Sequence, residues 1–242
     1  MAASGISGAA FRLKSLKDTD SLARLGNEIV SCRACPRLVA WREESAAHPP
    51  RRFQGQRYWG RPVPGFGDAG ARLLVVGLAP AANGGNRTGR VFTGDASGDF
   101  LFAALHRAGI ANQPSSVSQG DGLRLRGAWI AAAVRCAPPE NKPTPAEFSR
   151  CRPFLVREIA ALPNMKVVLA LGAHAWRASI EALTANGSPR PKPIPAFAHG
   201  AEAAIGETRL LGSYHVSQQN TFTGRLTPAM FDAVLERVRS TF

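Results

Sequence analysis

The sequence predicts an α/β fold: a four-stranded parallel sheet covered by helices on both sides. Two observations carry this. Four short runs are apolar at consecutive positions, which suits strands buried on both faces, as parallel strands are. Each run is followed by a helical pattern, and the alternation β-α-β-α-β-α-β-α is what right-handed parallel crossovers produce. Residues 1–20 read as a flexible tail and residues 21–242 as one domain.

Taken in order, a helical pattern starts at Ser21 and runs through Leu22, Leu25, Ile29 and Val30 to a C-x2-C pair. Residues 45–68, rich in Pro, Gly and Arg, read as an ordered loop. The first strand is Leu73–Val76, ending at Gly77, and its helix follows from Ala96 to Ala108. The second strand covers residues 128–134; its helix opens at Pro145, a favourable first-turn residue, with Thr144 as N-cap. The third strand covers residues 166–172, with its helix from Ala173 to Leu183. Residues 186–200 form a proline-rich basic loop before the fourth strand at 208–215, and the last helix runs from Pro228 to Arg239.

Charge narrows the partners. The chain carries 30 Lys and Arg against 17 Asp and Glu, a net charge of +13. Such a field attracts polyanions, nucleic acid first. Aromatic content of 7% argues for one or two placed rings over a broad stacking platform. No run approaches the roughly 18 apolar residues of a membrane span, and no secretory apolar stretch opens the chain, so a cytoplasmic location is expected.

The cysteines are the sharpest local signal. Cys32 and Cys35 form a C-x2-C pair, and Cys136 and Cys151 lie fourteen residues apart, with no others in the chain. Four thiolates suit zinc or an iron–sulfur cluster. The second pair lacks zinc-ribbon spacing, and Cys35-Pro36 matches a step common at cluster ligands, which favours a [4Fe–4S] cluster.

Ligand sites in parallel sheets lie outside the carboxyl ends of the strands. Three suggestive loops sit there: GLAPAANGGNRTGRVFTGD, RCAPPENKPTP and HVSQQNTFTGR. The first matches neither a Walker loop nor a dinucleotide fingerprint. Asp95, in it, reads equally as a helix N-cap and as a catalytic carboxylate. His215, at the mouth of the sheet, is a candidate site residue. His48, His106, His174 and His199 have weaker cases, with His106 and His174 expected to cover the sheet.

Together the loops, their order and the cysteine spacing resemble the uracil-DNA glycosylase superfamily, specifically family 5. The resemblance covers the chain from Cys32 to about Thr227 and implies a three-layer α/β/α sandwich on the four-stranded parallel sheet. It implies a structural [4Fe–4S] cluster on Cys32, Cys35, Cys136 and Cys151. It also implies hydrolysis of the N-glycosidic bond of uracil, and of other deaminated bases such as hypoxanthine, in duplex and also single-stranded DNA, by a monomer. By resemblance, His215 stabilises the leaving base at O2 and Phe92 stacks on it. Gly77, Leu78 and Ala79 line the pocket, and Asn141 holds base, water or backbone. Well-known relatives carry an Asp where this chain has Ala79, which leaves Asp95 to position water. Ala132 falls where family 4 has an Asn reader, which implies relaxed base specificity, since a missing hydrogen bond cannot reject other bases. The segment Ser217, Gln218, Gln219, Asn220 through Leu226 would enter the minor groove, with Arg225 or Leu226 filling the gap left by the base. Arg87, and the basic pairs Arg51-Arg52 and Arg190 with Lys192, would meet DNA. Two departures stand out: Asn83 where relatives have His, and Val216 where they have Pro. They leave open a second reading, a damaged-DNA binder without turnover. A cluster-bearing redox protein is a third, which the DNA-loop motifs count against.

Overall fold

The structure, a computed structural model, describes residues 21–240, and the expected N-terminal tail lies outside them. Helix α1 (Leu22–Ser31) is capped by Ser21, whose hydroxyl accepts from the Arg24 amide at 3.2 Å. Helix α2 (Pro36–Ala47), absent from the sequence-based expectation, begins at the cysteine pair with Pro36 in its first turn. The sheet follows: β1 (Phe66–Gly67), β2 (Leu73–Gly77), β3 (Ala128–Ala132), β4 (Val167–Leu171), β5 (Glu202–Ile205) and β6 (Thr208–Ser213). The helices between them are α3 (Gly85–Thr88), α4 (Ala96–Arg107), α5 (Pro145–Ala160) and α6 (Ala173–Ala185), and α7 (Gln218–Thr221) and α8 (Pro228–Arg239) close the chain.

Strand order is β1-β3-β2-β4-β6-β5. The four inner strands are parallel, as expected, but the sheet has six strands, because β1 and β5 add antiparallel edges. Both additions are short, which blunts an otherwise open edge. β5 and β6 meet through a two-residue turn with Gly206 at φ 60°, a geometry that a side chain resists.

Alternation along the inner strands divides the core in two. Val75, Ile130, Leu169 and Leu211 face α4 and α8, packing on Leu101, Phe102, Phe231 and Leu235. Leu74, Val76, Val168 and Leu210 face α5 and α6, packing on Leu155, Ile159, Trp176 and Ile180. Both faces are covered by helices, so the sheet is the middle of three layers. Among the described residues no helix is long and apolar enough to cross a membrane. The expectation that His106 and His174 cover the sheet does not hold: both are exposed, and His174 stacks on Phe148 at 5.7 Å between centroids.

Candidate active site and metal centre

The carboxyl ends of β2, β3, β4 and β6 open on one side of the molecule. Gly77 and Ala132 are register partners there, both buried, and form a floor without a polar side chain. Phe92 lies directly over it. A Cβ on Gly77 would stand 2.5 Å from the Phe92 ring, so only glycine lets the ring settle on the strand end. Phe92 holds φ 52°, a left-handed conformation that a bulky residue rarely adopts. The strain is held in place by α4, where Gly98 admits the Phe92 carbonyl to within 2.0 Å of a would-be Cβ.

His215 follows β6 and faces the same floor, its ring 6.2 Å from that of Phe92 and tilted by 40°. Its carbonyl accepts from Asn220 Nδ2 at 2.8 Å, which fixes the backbone behind it. Burial pushes the imidazole down to about 4. At neutral pH the ring is therefore uncharged and offers one N–H and one lone pair.

Asp95 caps α4: Oδ1 accepts from the Gly98 amide at 3.0 Å. Its other oxygen is turned toward Gly84, where a Cβ would stand 1.9 Å away. Burial raises its carboxyl above the ordinary range, against the lowering effect of the Gly98 and Ser97 amides. Asp95 is thus a helix cap whose second oxygen lies against Gly84.

Several expected residues do other work. Arg87 is a brace: Nε donates to the Asn83 carbonyl at 2.8 Å and a terminal nitrogen to the Gly94 carbonyl at 2.7 Å. It also lies over the Phe53 ring at 4.3 Å, which brings the exposed pair Arg51-Arg52 to the rim of the first loop. Leu226 cannot fill a gap in DNA, since it is 0% exposed and packs in the core beside α8. Arg225 is exposed with its guanidinium over the Tyr214 ring at 4.7 Å. Asn220 faces inward to His215, while Gln218 and Gln219 face solvent and Ser217 stands at the N-cap position of the short α7 without a side-chain cap bond. Asn141 sits after β3 with φ 57°, directly behind Glu140 at φ 53°, and its side chain is exposed. Leu78 and Ala79 are half-buried behind the pocket. The carbonyls of Gly77 and Leu78 accept from Ala133 and Val134, so the loop leaves β2 locked to the end of β3.

Sequence reasoning missed three contributors. Tyr58 donates its hydroxyl to Asn83 Oδ1 at 2.8 Å, so the residue that departs from the relatives' histidine is bonded in place. Gly172 lies close behind His215, where a Cβ would approach the His215 Cβ to 3.3 Å. Phe222, in the loop after His215, is 77% exposed. Val216 is fully buried, so packing anchors the loop where proline would have stiffened it.

The four cysteines line one small cavity, reached from α1, α2, the segment after β3, and α5. Arg37 beside Cys35 and Glu147, one turn before Cys151, clamp α2 to α5 at 2.7 Å. Among the described residues no three Cys, His, Asp or Glu close on a single-ion geometry. Four thiols around one shared cavity are a donor set that could hold a metal or an iron–sulfur cluster. The donors around it agree: Arg42 gives an N–H to Cys136 Sγ at 3.0 Å and the Arg135 amide one to Cys151 Sγ at 3.3 Å. Burial pushes the Cys151 thiol up to about 12 and raises those of Cys35 and Cys136 as well, so the apolar shell disfavours these three thiolates unless a cation shares the cavity.

A family model for the uracil DNA glycosylase superfamily matches residues 64–239. That span contains the floor, Phe92, Asp95 and His215. The chain belongs to the uracil-DNA glycosylase superfamily. Within it, a protein of Thermus thermophilus described as a type-5 uracil-DNA glycosylase is 54% identical over 208 residues, 86% of this chain and 92% of that protein. One of Mycobacterium bovis, described the same way, is 52% identical over 221 residues, 90% of this chain and 81% of that protein. A type-4 uracil-DNA glycosylase of Archaeoglobus fulgidus is more distant, 32% identical over 158 residues, 64% of this chain and 62% of that protein. The glycosylase resemblance read from the loops is therefore sound, and the likeness is to the type-5 group.

Proposed function

We propose that the protein excises uracil from DNA by hydrolysing its N-glycosidic bond, leaving an abasic site. The observation that carries this is that Phe92 and His215 stand together, rings 6.2 Å apart, at the strand ends over the bare floor of Gly77 and Ala132. A planar base flipped out of the helix fits against a face-on phenyl ring, and the duplex must surrender it because the bond is out of reach in the stack. The C1′–N1 bond breaks with its electron pair on the base, and water oxygen bonds to C1′. The water proton is released and the uracil anion leaves. Neutral His215 gives an N–H to uracil O2 as negative charge grows there, without transferring the proton. Ionised Asp95 directs the water and faces the positive charge on the sugar. Exposed Asn141 at the rim of the second loop holds the water or base from that side.

The four cysteines hold a [4Fe–4S] cluster; the sulfur-lined cavity and its N–H donors support this. When bound, the cluster supplies a rigid cross-link and takes no part in the hydrolysis. The absence of a polar reader at Ala132 supports a wider base range than uracil. Alkali cleavage of labelled duplexes with uracil, hypoxanthine or ethenocytosine tests both statements. Cleavage at uracil is expected, with hypoxanthine or ethenocytosine cut as well. No cleavage at uracil by folded, iron-loaded protein refutes the activity, and cleavage at uracil alone refutes the wider range.

The pH profile tests Asp95. Its pKa is raised by burial, so the working ionised form is lost at a higher pH than for an exposed carboxylate. Excision should climb with pH through that raised value and then level off. Asp95→Asn keeps a good N-cap, yet should slow excision roughly 100-fold and remove that limb of the profile. A variant that keeps the limb would assign it to another group.

A further inference from the structure

We propose that the buried ion pair of Arg90 and Asp121 is a positioning device for Phe92, holding its ring in the pose that stacks on a flipped base. This rests on the glycosylase reading above. Phe92 holds φ 52°, and the residues on both sides of it are tied together. Arg90 Nε donates to Thr93 Oγ1 at 3.0 Å, and the Thr93 hydroxyl donates to the Val91 carbonyl at 3.1 Å, so side chains close a ring around the Phe92 backbone. Arg90 Nη2 reaches outward, donating to Ser116 Oγ at 2.7 Å and to Asp121 Oδ2 at 2.6 Å. The Thr93 and Ser116 hydroxyls lie 2.6 Å apart. Every proton has a place when Ser116 donates to Thr93 and Thr93 to Val91. Thr93 and Ser116 are fully buried, and the Arg90 and Asp121 side chains are 7% and 6% exposed. A network this dry is rigid while complete and costly to break in part.

A buried ion pair is by itself weak evidence of any role. The placement of this one points to the ring. Asp121 belongs to the segment between α4 and β3, where Val117, Ser118, Gln119 and Gly120 are exposed. Ser116 and Asp121 turn inward from it, to the residues that flank Phe92. The carboxylate also shapes its own loop: Oδ2 accepts from the Val117 amide at 2.8 Å and Oδ1 from the Leu123 amide at 3.0 Å. The loop is fastened to the main chain on either side of Phe92. The Gly94 amide donates to the Ser116 carbonyl at 2.9 Å, and Gln119 Nε2 donates to the Gly89 carbonyl at 2.8 Å. Held at Gly89, Arg90, Thr93 and Gly94, the strand of chain that carries Phe92 has no room to relax toward the extended conformation a bulky residue prefers. Helix α4 restrains it separately, through the close approach of Gly98 to the Phe92 carbonyl. The phenyl ring stays over Gly77 because both holds act at once.

The experiment is a double-mutant cycle, read by single-turnover excision at saturating enzyme from a duplex with uracil opposite guanine. Asp121→Asn removes the charge and keeps the shape. It should slow excision roughly 30-fold, the cost of displacing an aligned group by under about 1 Å. In the Phe92→Ala background the same change should cost less than about twofold, since no ring remains to be displaced. A variant that only loosens the fold loses the same factor in both backgrounds. Ser116→Ala removes one hydroxyl and strands no charge, so it takes the place of Asp121→Asn if that variant does not fold. Its expected loss is about fivefold, again absent beside Phe92→Ala. Equal losses in the two backgrounds, or no loss beside intact Phe92, overturn the assignment. Wild-type protein that leaves the uracil–guanine duplex uncut overturns the glycosylase reading and the positioning role with it.

Discussion

Replacing His215 by alanine is expected to slow single-turnover uracil excision by roughly 100- to 1,000-fold, the cost of one aimed donor in a desolvated site. The ring touches the base, so duplex affinity, set mainly by phosphate contacts, should change little. His215→Gln keeps an N–H and should recover part of the loss. The form that works is the neutral one: burial holds the imidazole at about 4, so it stays uncharged across the neutral range. If an imidazolium were the working form, excision would fall as pH rises through that value, the opposite of the slope expected from Asp95. Stability carries a matching signature. The folded pKa of about 4 lies below the ordinary 6.5, so protonation favours the unfolded chain. This contribution is complete above 6.5 and is lost as pH falls toward 4. The alanine variant should therefore show less acid destabilisation across that window in thermal melts. An excision rate within about threefold of wild type would remove His215 from the chemistry.

The inner sheet was legible because every residue of Leu73–Gly77, Ala128–Ala132 and Val167–Leu171 is buried, which leaves an unbroken apolar run in the sequence. The edges were not. β1 is two residues long, and β5, Glu202–Ile205, buries only Ile205, so neither leaves a pattern longer than chance. Helix α2 escaped notice because it buries only Leu38, Val39 and Arg42, and one of those is charged. In the site, residue type and position singled out Asp95 and His215, the resemblance singled out Phe92, and the structure sets Phe92 and His215 side by side. It was misleading for Arg87 and Leu226. A guanidinium can meet a phosphate or a main-chain carbonyl, and only the fold of the loop around Gly94 decides between them. A leucine at a loop end is exposed or a core residue according to where the chain turns back into the core, and here it does so at Leu226, just before α8. Asp95 read equally as cap or catalyst, and the structure shows the cap.

Cys151→Ser should yield protein with little iron and a melting temperature lower by roughly 10 °C or more. Cys151 is buried in the middle of α5, and its partners come from three other segments, so losing one ligand unties four parts of the chain at once. Structural metal sites contribute free energy comparable to the whole net stability of a domain, and each kcal/mol shifts the melt of a chain this size by about 2–4 °C. Electrostatics adds to the loss. Arg42 is 2% exposed with its guanidinium on Cys136 Sγ, and its Nε has no partner. Without an anionic cluster this buried cation keeps only the Cys32 carbonyl and a long contact to Glu43 at 3.7 Å, a costly arrangement. The effect should reach the pocket, because Ala79 packs against the same small core as Cys35, Cys136 and Val134. Val134 in turn donates its amide to the Leu78 carbonyl. Excision by the variant should therefore fall at temperatures where it is still folded, through a loosened Gly77–Pro80 turn. Cys32, half-buried at the end of α1, is the least enclosed ligand, and Cys32→Ser should be the milder change. Iron and sulfide content and thermal melts of anaerobically purified protein decide the matter: stoichiometric zinc without iron, or a Cys151→Ser melt equal to wild type, would contradict a structural cluster.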